Sequence, residues 1–340
     1  MKVLVTGATG FLGSWIAREL IGAGHSARAL VRPTSKLDGL VGTNVENAMG
    51  DVLDRPSLDA ALTGMDAVIH AAGAVGQRPR DEKTLYAVNV EGAKNVLQAA
   101  KARGVRLVHT SSISAVGFTA EPVVANEQAE YRTQSPPYPY GESKRQGELL
   151  ALAMARDALD VVVLNPGTMF GPGDVHLTST RMVLEYLRGR LRWVPKGGVS
   201  YCDVRDVART HVAALTAGKR GERYIVAGHN LSLFDLLARL SDLTGLGRPG
   251  RLPPFLPAAL ALLSEGVARL VPHGLEEVNR AVVKHGALYN WVDSSRAERE
   301  LGYRIRPLEE SLRSTLKDFL SRGVFPARTE KLRALSEANS

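Results

Sequence analysis

A chain of 340 residues, 44% hydrophobic and 23% charged, can fill the core of one large domain or two modest ones. Its single cysteine, Cys202, excludes an intramolecular disulfide. The formal charge of +8 comes mostly from arginines scattered singly among Asp and Glu, with no dense basic tract interleaved with aromatics; that argues against nucleic acid as a partner and leaves a solvated surface, or a basic mouth for an anionic cofactor.

The lone thiol fits a reducing cytoplasm and reads as a packed hydrophobe rather than a nucleophile. The apolar N-terminus imitates a secretion signal, but Gly7, Gly10 and Gly13 interrupt it and Arg18 and Glu19 close it. The stretch 252–268 carries three prolines and Glu265, so it is too short and broken to span a bilayer and reads as a lobe helix rather than a membrane foot. A cytoplasmic location is expected.

In chain order, Lys2–Thr6 reads as a buried strand and Gly13–Ala23 as a helix. Ser26–Arg32 and Val45–Gly50 are strands, and Pro56–Leu62 is a short helix. Ala67–His70 is the fourth strand, Thr84–Ala102 a long helix closed by Gly104, and Arg106–Ser111 the fifth strand. Ser143–Ala155 is a helix and Val161–Asn165 the sixth strand. This alternation predicts an α/β fold, a Rossmann-type doubly wound parallel sheet whose ligand site lies beyond the carboxyl ends of the strands. After Pro166 the pattern loosens. PGTMFGPGD reads as loop, Thr180–Gly189 and Asp206–Ala217 as helices, and Tyr224–Ala227 as a strand. Ser232 caps a helix with Asp235 three residues on, and the rest to about Phe319 reads as mostly helical. The expected division is a nucleotide-binding unit over 1–168, with 201–228 returning to it, and a smaller substrate lobe from 169–200 and 229–326. A polar, fraying tail fills 327–340.

TGATGFLG, residues 6–13, follows a strand and opens a helix. Glycines there let the backbone approach a pyrophosphate and aim the first amides of the helix at it. The spacing is G-x-x-G-x-x-G, so a plain strand–turn–helix remains the alternative. Arg32 ends the second strand, where a carboxylate would meet the adenosine 2′-hydroxyl of NAD and an arginine can meet the 2′-phosphate of NADP. No Asp or Glu lies between Glu19 and Asp38, so NADP is preferred and NAD remains possible, with Lys36 assisting. Asp51, after Gly50, is placed to accept from an adenine amino group with Val52 against the ring, or is an ordinary turn aspartate. In YPYGESK, residues 138–144, Tyr140 and Lys144 are four apart and share a helix face. A nearby ammonium stabilises a phenolate and lowers the phenol's pKa. Ser112, with Ser111 as the alternative, would hold a carbonyl oxygen beside that phenol, and Tyr140 would trade a proton with it.

The order of these blocks resembles the extended short-chain dehydrogenases/reductases, also called the NAD-dependent epimerase/dehydratase family. The likeness rests on TGATGFLG, GD at 50–51, HAAG at 70–73, TSS at 110–112, YGESK at 140–144, NPG at 165–167, YCDVRDVA at 201–208 and WVDSSRAERELGYRIRP at 291–307. Within it the chain is most similar to dihydroflavonol-4-reductase-like reductases and hopanoid-associated sugar epimerases. The resemblance implies a Ser112–Tyr140–Lys144 triad, with Lys144 also on the nicotinamide ribose and Pro166, Gly167 and Thr168 lining the nicotinamide. It further implies that Asn89 braces the central helix near the site. The expected cofactor-binding set is Gly7, Thr9, Gly10, Phe11, Leu12, Gly13, Arg32, Lys36, Asp51, Val52, Ala71, Ala72, Gly73, Asn89, Tyr140, Lys144, Pro166, Gly167 and Thr168. Where sugar-nucleotide dehydratases of the family carry Thr-Asp-Glu, this chain has Ser112, Ile113 and Ser114, which argues against 4,6-dehydration. Val116 replaces a tyrosine common in sugar-nucleotide members.

No metal is expected, since His70, His109 and His211 lie on different elements. Tyr138 rims the substrate pocket or stiffens a loop. Phe118, Met169 and Trp193 line an apolar pocket or belong to the core. Arg181 and Arg205 would clamp a pyrophosphate, or pair at the surface; Met182, Leu184, Tyr186 and Leu187 read as core. The leading expectation is an NADPH-dependent reductase of a bulky, fairly apolar ketone or aldehyde. The second is a sugar or nucleotide-sugar epimerase with retained NAD, and the third a non-catalytic dinucleotide sensor. A homodimer through helices 84–102 and 143–155 is expected by family analogy.

Overall fold

The computed structural model describes residues 1–76, 79–131, 138–253 and 285–337. Seven strands form the central sheet: β1 (Lys2–Thr6), β2 (Ser26–Val31), β3 (Glu46–Met49), β4 (Ala67–His70), β5 (Arg106–Thr110), β7 (Val161–Pro166) and β11 (Arg223–Val226). Their spatial order is β11-β7-β5-β4-β1-β2-β3, and every pair is parallel. Parallel strands buried on both faces need near-continuous apolar runs, as in Val161–Leu164, which is fully buried. Helices α1 (Phe11–Gly22) and α7 (Val204–Ala213) pack on one face, burying Ile16, Leu20 and Val207 against Val3, Val5 and Val108. On the other face, α2 (Arg55–Ala61), α4 (Ala93–Arg103) and α5 (Pro139–Arg156) cover Leu4, Val68 and Leu107. The order reverses between β1 and β4, so the loops after these two strands form the crevice.

Several local expectations are corrected. The long helix is three pieces: α3 (Glu82–Tyr86), a wide π-type turn over Ala87–Gly92, and α4. Helix α5 starts at Pro139 rather than Ser143, because proline at its first position fixes φ and has no amide to satisfy. That puts Tyr140 in the first turn. The expected loop after Pro166 contains β8 (Thr168–Phe170), paired with β10 (Gly198–Asp203), where no element was expected. The expected helical region holds β14 (Tyr289–Val292), paired with β10 and with β6 (Val124–Ala125). With β12 (His229–Ser232) these make a second sheet, ordered β12-β10-β14-β6. The tail does not simply fray: Glu330–Glu337 is a helix that buries Leu332 and Leu335.

Beneath this second sheet is a separate core, drawn from α6 (Arg181–Leu187), α8 (Leu233–Thr244) and the helix Leu308–Ser321. Leu184, Tyr186 and Leu187 belong to it, with Met182 packed alongside. Ser232 caps α8 as expected, accepting from the Asp235 amide at 3.1 Å and donating to its carboxylate at 2.6 Å. Asn290 of β14 donates its side-chain amide to the carbonyls of Ile113, at 3.2 Å, and Gly117. This ties the turn after β5 to the last strand of the chain. Most of 252–268 lies outside the described residues, as does the choice between lobe helix and membrane foot. Among the described residues no helix is long and apolar enough to cross a membrane.

Candidate active site

The glycine turn closes on the crevice. Gly7 has φ +72°, and a Cβ there would sit 2.6 Å from the Ala72 amide nitrogen. A Cβ on Gly13 would sit 2.1 Å from the Gly7 carbonyl oxygen. Both glycines therefore let the chain pack on itself. Gly10 is more open: its nearest contact would be the Gly7 carbonyl oxygen at 3.2 Å. It caps α1 with no side-chain bond and no acidic residue in the first turn, so the amides of that turn remain available to an anion. Phe11 and Leu12 are buried in the core and Thr9 is half-buried. Arg32 and Lys36 are exposed at the end of β2, and Arg32 makes no side-chain ion pair among the described residues. Asp51 accepts from the Leu53 amide at 2.9 Å, a turn contact that uses one carboxylate oxygen. Val52 is packed into the core below. This cradle of glycines, uncapped helix amides and an unpaired arginine fits a dinucleotide.

The opposite wall begins where β5 ends. Thr110 is followed by Ser111 and Ser112, and Ser112 caps a short turn by accepting from the Ser114 amide at 3.1 Å. The Tyr140 hydroxyl is hydrogen-bonded to Ser112. Lys144, one turn further along α5, donates to the Thr110 carbonyl at 2.6 Å. Its ammonium also lies under Gly73, where a Cβ would be 3.7 Å from Nζ and 3.3 Å from the Asn89 side-chain oxygen. Asn89 sits in the π-type turn, bonded both ways to Ala74 and donating to Ser143 of α5 at 3.0 Å. Pro166 and Gly167 are buried, so of that trio only Thr168 reaches the surface. Ser111, the alternative to Ser112, instead donates to Glu148 at 2.6 Å.

The electrostatics differ from expectation in one respect. Burial raises the phenol of Tyr140, and the bond to Ser112 only partly offsets it. The ammonium does not override this, because Nζ is drawn to the Thr110 carbonyl. Burial lowers Lys144 to about 8, with Glu148 pulling it back up. Tyr140 is therefore a protonated acid and Lys144 a cation at neutral pH.

Glu148 was not anticipated. It is buried, four residues beyond Lys144, and also accepts from Asn165 at 2.6 Å and Arg223 at 3.0 Å. The repeat Tyr140, Lys144, Glu148 at every fourth residue was the available signal. His70 and His109 pack ring to ring at 5.3 Å near Lys144, and neither ring nitrogen of His109 has a hydrogen-bond partner among the described residues. Tyr138 stacks edge-on with Tyr140 at 5.9 Å and with Phe118 at 5.4 Å, so it rims the site. Met169 packs on the main core. Trp193 is exposed, in neither pocket nor core. Arg205 is held by both oxygens of Asp203, at 2.8 and 2.7 Å, which removes it from a pyrophosphate clamp; Arg181 is exposed. Cys202 is buried, with its thiol pushed far up by that burial, as expected of a packed residue.

Residues 3–227 match the model of the NAD dependent epimerase/dehydratase family. Sterol demethylase protein B of Methylococcus capsulatus is 36% identical over 306 residues, covering 89% of this chain and 93% of that protein. A Synechocystis sp. protein named "Putative dihydroflavonol 4-reductase" is 35% identical, covering 94% of each chain. Among solved structures, that of gox2253 superposes with a TM-score of 0.85 at 34% identity, covering 95% of this chain and 99% of its own.

Proposed function

Because the chain belongs to the NAD-dependent epimerase/dehydratase family of NAD(P)-dependent oxidoreductases, we propose that it is a carbonyl reductase that uses NADPH on a bulky, largely apolar ketone or aldehyde. The observation that carries this reading is the geometry of Tyr140, a half-buried phenol bonded to Ser112 and one helical turn from the Lys144 ammonium; desolvation raises the phenol's pKa and keeps it protonated. A reductase needs a proton donor at that point. The name of the Synechocystis relative, a reductase, agrees with it.

When bound, the reduced nicotinamide supplies hydride to the carbonyl carbon. The residues of the chain do the rest. Ser112 and Tyr140 hold the carbonyl oxygen between two hydroxyls. As that oxygen gains charge, Tyr140 gives it the phenolic proton. Lys144, anchored on the Thr110 carbonyl one turn along the helix, would hold the nicotinamide ribose, and the Ser112 hydroxyl stays bonded to the phenolate left behind. Gly7, Gly10 and Gly13 with the amides opening α1 hold the pyrophosphate, Asp51 the adenine, and Arg32 with Lys36 the 2′-phosphate. On the substrate side, Phe118 borders both Tyr138 and an open cavity of about 590 Å³ whose lining mixes Val116, Val123 and Val124 with Glu121, Asn126 and Glu130. Its apolar part would take the bulk of the substrate. The pairing of Arg205 with Asp203 weakens the nucleotide-sugar alternative. The homodimer through α4 and α5 stays part of the proposal, with Leu149 exposed on α5.

Arg32→Ala is expected to weaken NADPH binding by about 10- to 100-fold, the loss of one or two hydrogen bonds to a charged group, and to leave NADH binding nearly unchanged. Titration of both nucleotides by fluorescence checks this. A wild-type protein that prefers NADH would remove the assignment of Arg32.

A further inference from the structure

The carboxylate of Glu148 lies among groups from four elements. It accepts from Ser111, just past β5, from Asn165 of β7 and from Arg223 of β11, and it rides on α5 one turn beyond Lys144. Buried carboxylates persist when their oxygens are saturated in this way. Two consequences meet at the proposed acid. The first is geometric. The Asn165 amide donates one hydrogen to Glu148 and another, at 3.0 Å, to the Ser112 carbonyl. Glu148 thus orients Asn165, and Asn165 holds the backbone of the serine whose hydroxyl meets the phenol. The second is electrostatic. Lys144 is faced by Tyr140 and Glu148 on its own helix, by His109 and the Thr110 carbonyl from β5, and by His70 from β4. His211 of α7 stands behind, bonded to the Thr110 hydroxyl at 2.9 Å. The three histidines are held neutral by burial, so Glu148 is the one carboxylate acting on the ammonium among the described residues. Arg223, on the other side of Glu148, competes for the same charge.

We infer that Glu148 is a positioning residue, one that sets a carboxylate one helical turn from Lys144 and, through Asn165, aims Ser112 at the Tyr140 hydroxyl. This rests on the reductase reading for its use, but not for its test. Lysines carrying ¹³C at Cε are titrated by NMR in the full-length protein, and the Lys144 resonance is assigned by its loss in Lys144→Met. In Glu148→Gln the midpoint of Lys144 is expected to fall by about one pH unit, the effect of losing a nearby opposite charge. An unchanged midpoint overturns the inference. Should Glu148→Gln fail to fold, Arg223→Gln carries the test with the opposite sign: Glu148 loses its competitor and the Lys144 midpoint rises, and no rise overturns it. With NADPH and a reducible ketone, the alkaline limb of kcat in Glu148→Gln moves toward neutrality with KM little changed. A role confined to packing would lower kcat equally at all pH values and leave the limb in place. If no ketone is turned over by the wild type, the reductase reading fails while the lysine titration still decides the role of Glu148.

Discussion

Replacing Tyr140 by Phe is expected to reduce ketone turnover by about 10²- to 10⁴-fold, the usual worth of a positioned general acid, with NADPH affinity close to wild type. The substitution deletes one hydroxyl and keeps the ring, so the contact with Tyr138 at 5.9 Å survives. Ser112 keeps its bond from the Ser114 amide. The stability cost is therefore one hydrogen bond, about 1 kcal/mol. The chemical cost is far larger, because the Ser112 hydroxyl can still donate a hydrogen bond but, as an aliphatic alcohol, is too weak an acid to give up its proton. Ser111 is committed to Glu148, and Lys144 to the Thr110 carbonyl. Steady-state NADPH consumption, beside a melting curve and a nucleotide titration, separates the two effects. A Tyr140→Phe protein with full turnover would exclude the phenol as the acid.

Acid is expected to unfold this protein early and steeply. His70 is lowered to about 3 and His211 to about 4, chiefly by burial, and His109 is lowered as well by burial and by its neighbours His70 and Lys144. In the unfolded chain each titrates near 6.5. Below that pH the unfolded state takes up protons that the folded state refuses. Stability that is complete above about pH 6.5 is then lost as pH falls, until about 4 for His211 and about 3 for His70. Each histidine removes about 1.4 kcal/mol per pH unit, and the three together about 4 kcal/mol. A fold of about 5–15 kcal/mol does not survive much of that window. Asp203, which burial pushes up but its bonds to Arg205 and Ser311 bring below its usual value, adds to the loss at the acid end, while Asp206, raised by burial, opposes it. Melting temperatures from about pH 7 to about pH 5 measure the slope. His109→Leu is expected to flatten the slope by about a third, and it also removes two ring nitrogens that have no partner among the described residues. A melting temperature constant over that range would mean that these rings are charged in the folded protein.

The parallel sheet was legible because its information is local. Apolar runs such as Val161–Leu164 alternate with helical periods, and the glycines of residues 7–13 mark where strand becomes helix. The second sheet was not legible for the opposite reason. Thr168–Phe170 is three residues long and gains its partner some thirty positions on, at Tyr201–Asp203; Tyr289–Val292 gains one at Gly198–Val199. Neither run has the length to declare a period. The same split runs through the site. Tyr140 and Lys144 could be paired from helical spacing alone. Glu148 continues that spacing, but its partners are not visible in one dimension, because Ser111, Asn165 and Arg223, each from another element, meet it only in the fold. The spacing also placed an ammonium near a phenol without saying which carbonyl would capture it, so the direction of the Tyr140 shift was misjudged. Arg205 was available to a ligand in one dimension, but the carboxylate two residues before it had already taken it.

The bonds from Asn290 to Ile113 and Gly117 have a meaning for biosynthesis. The two ends of that clasp are 177 residues apart, more than half of the polypeptide. A ribosome that has just made the serine turn must translate all of that message before the turn receives its last support. The serine turn thus gains this support only after Asn290 has left the ribosome.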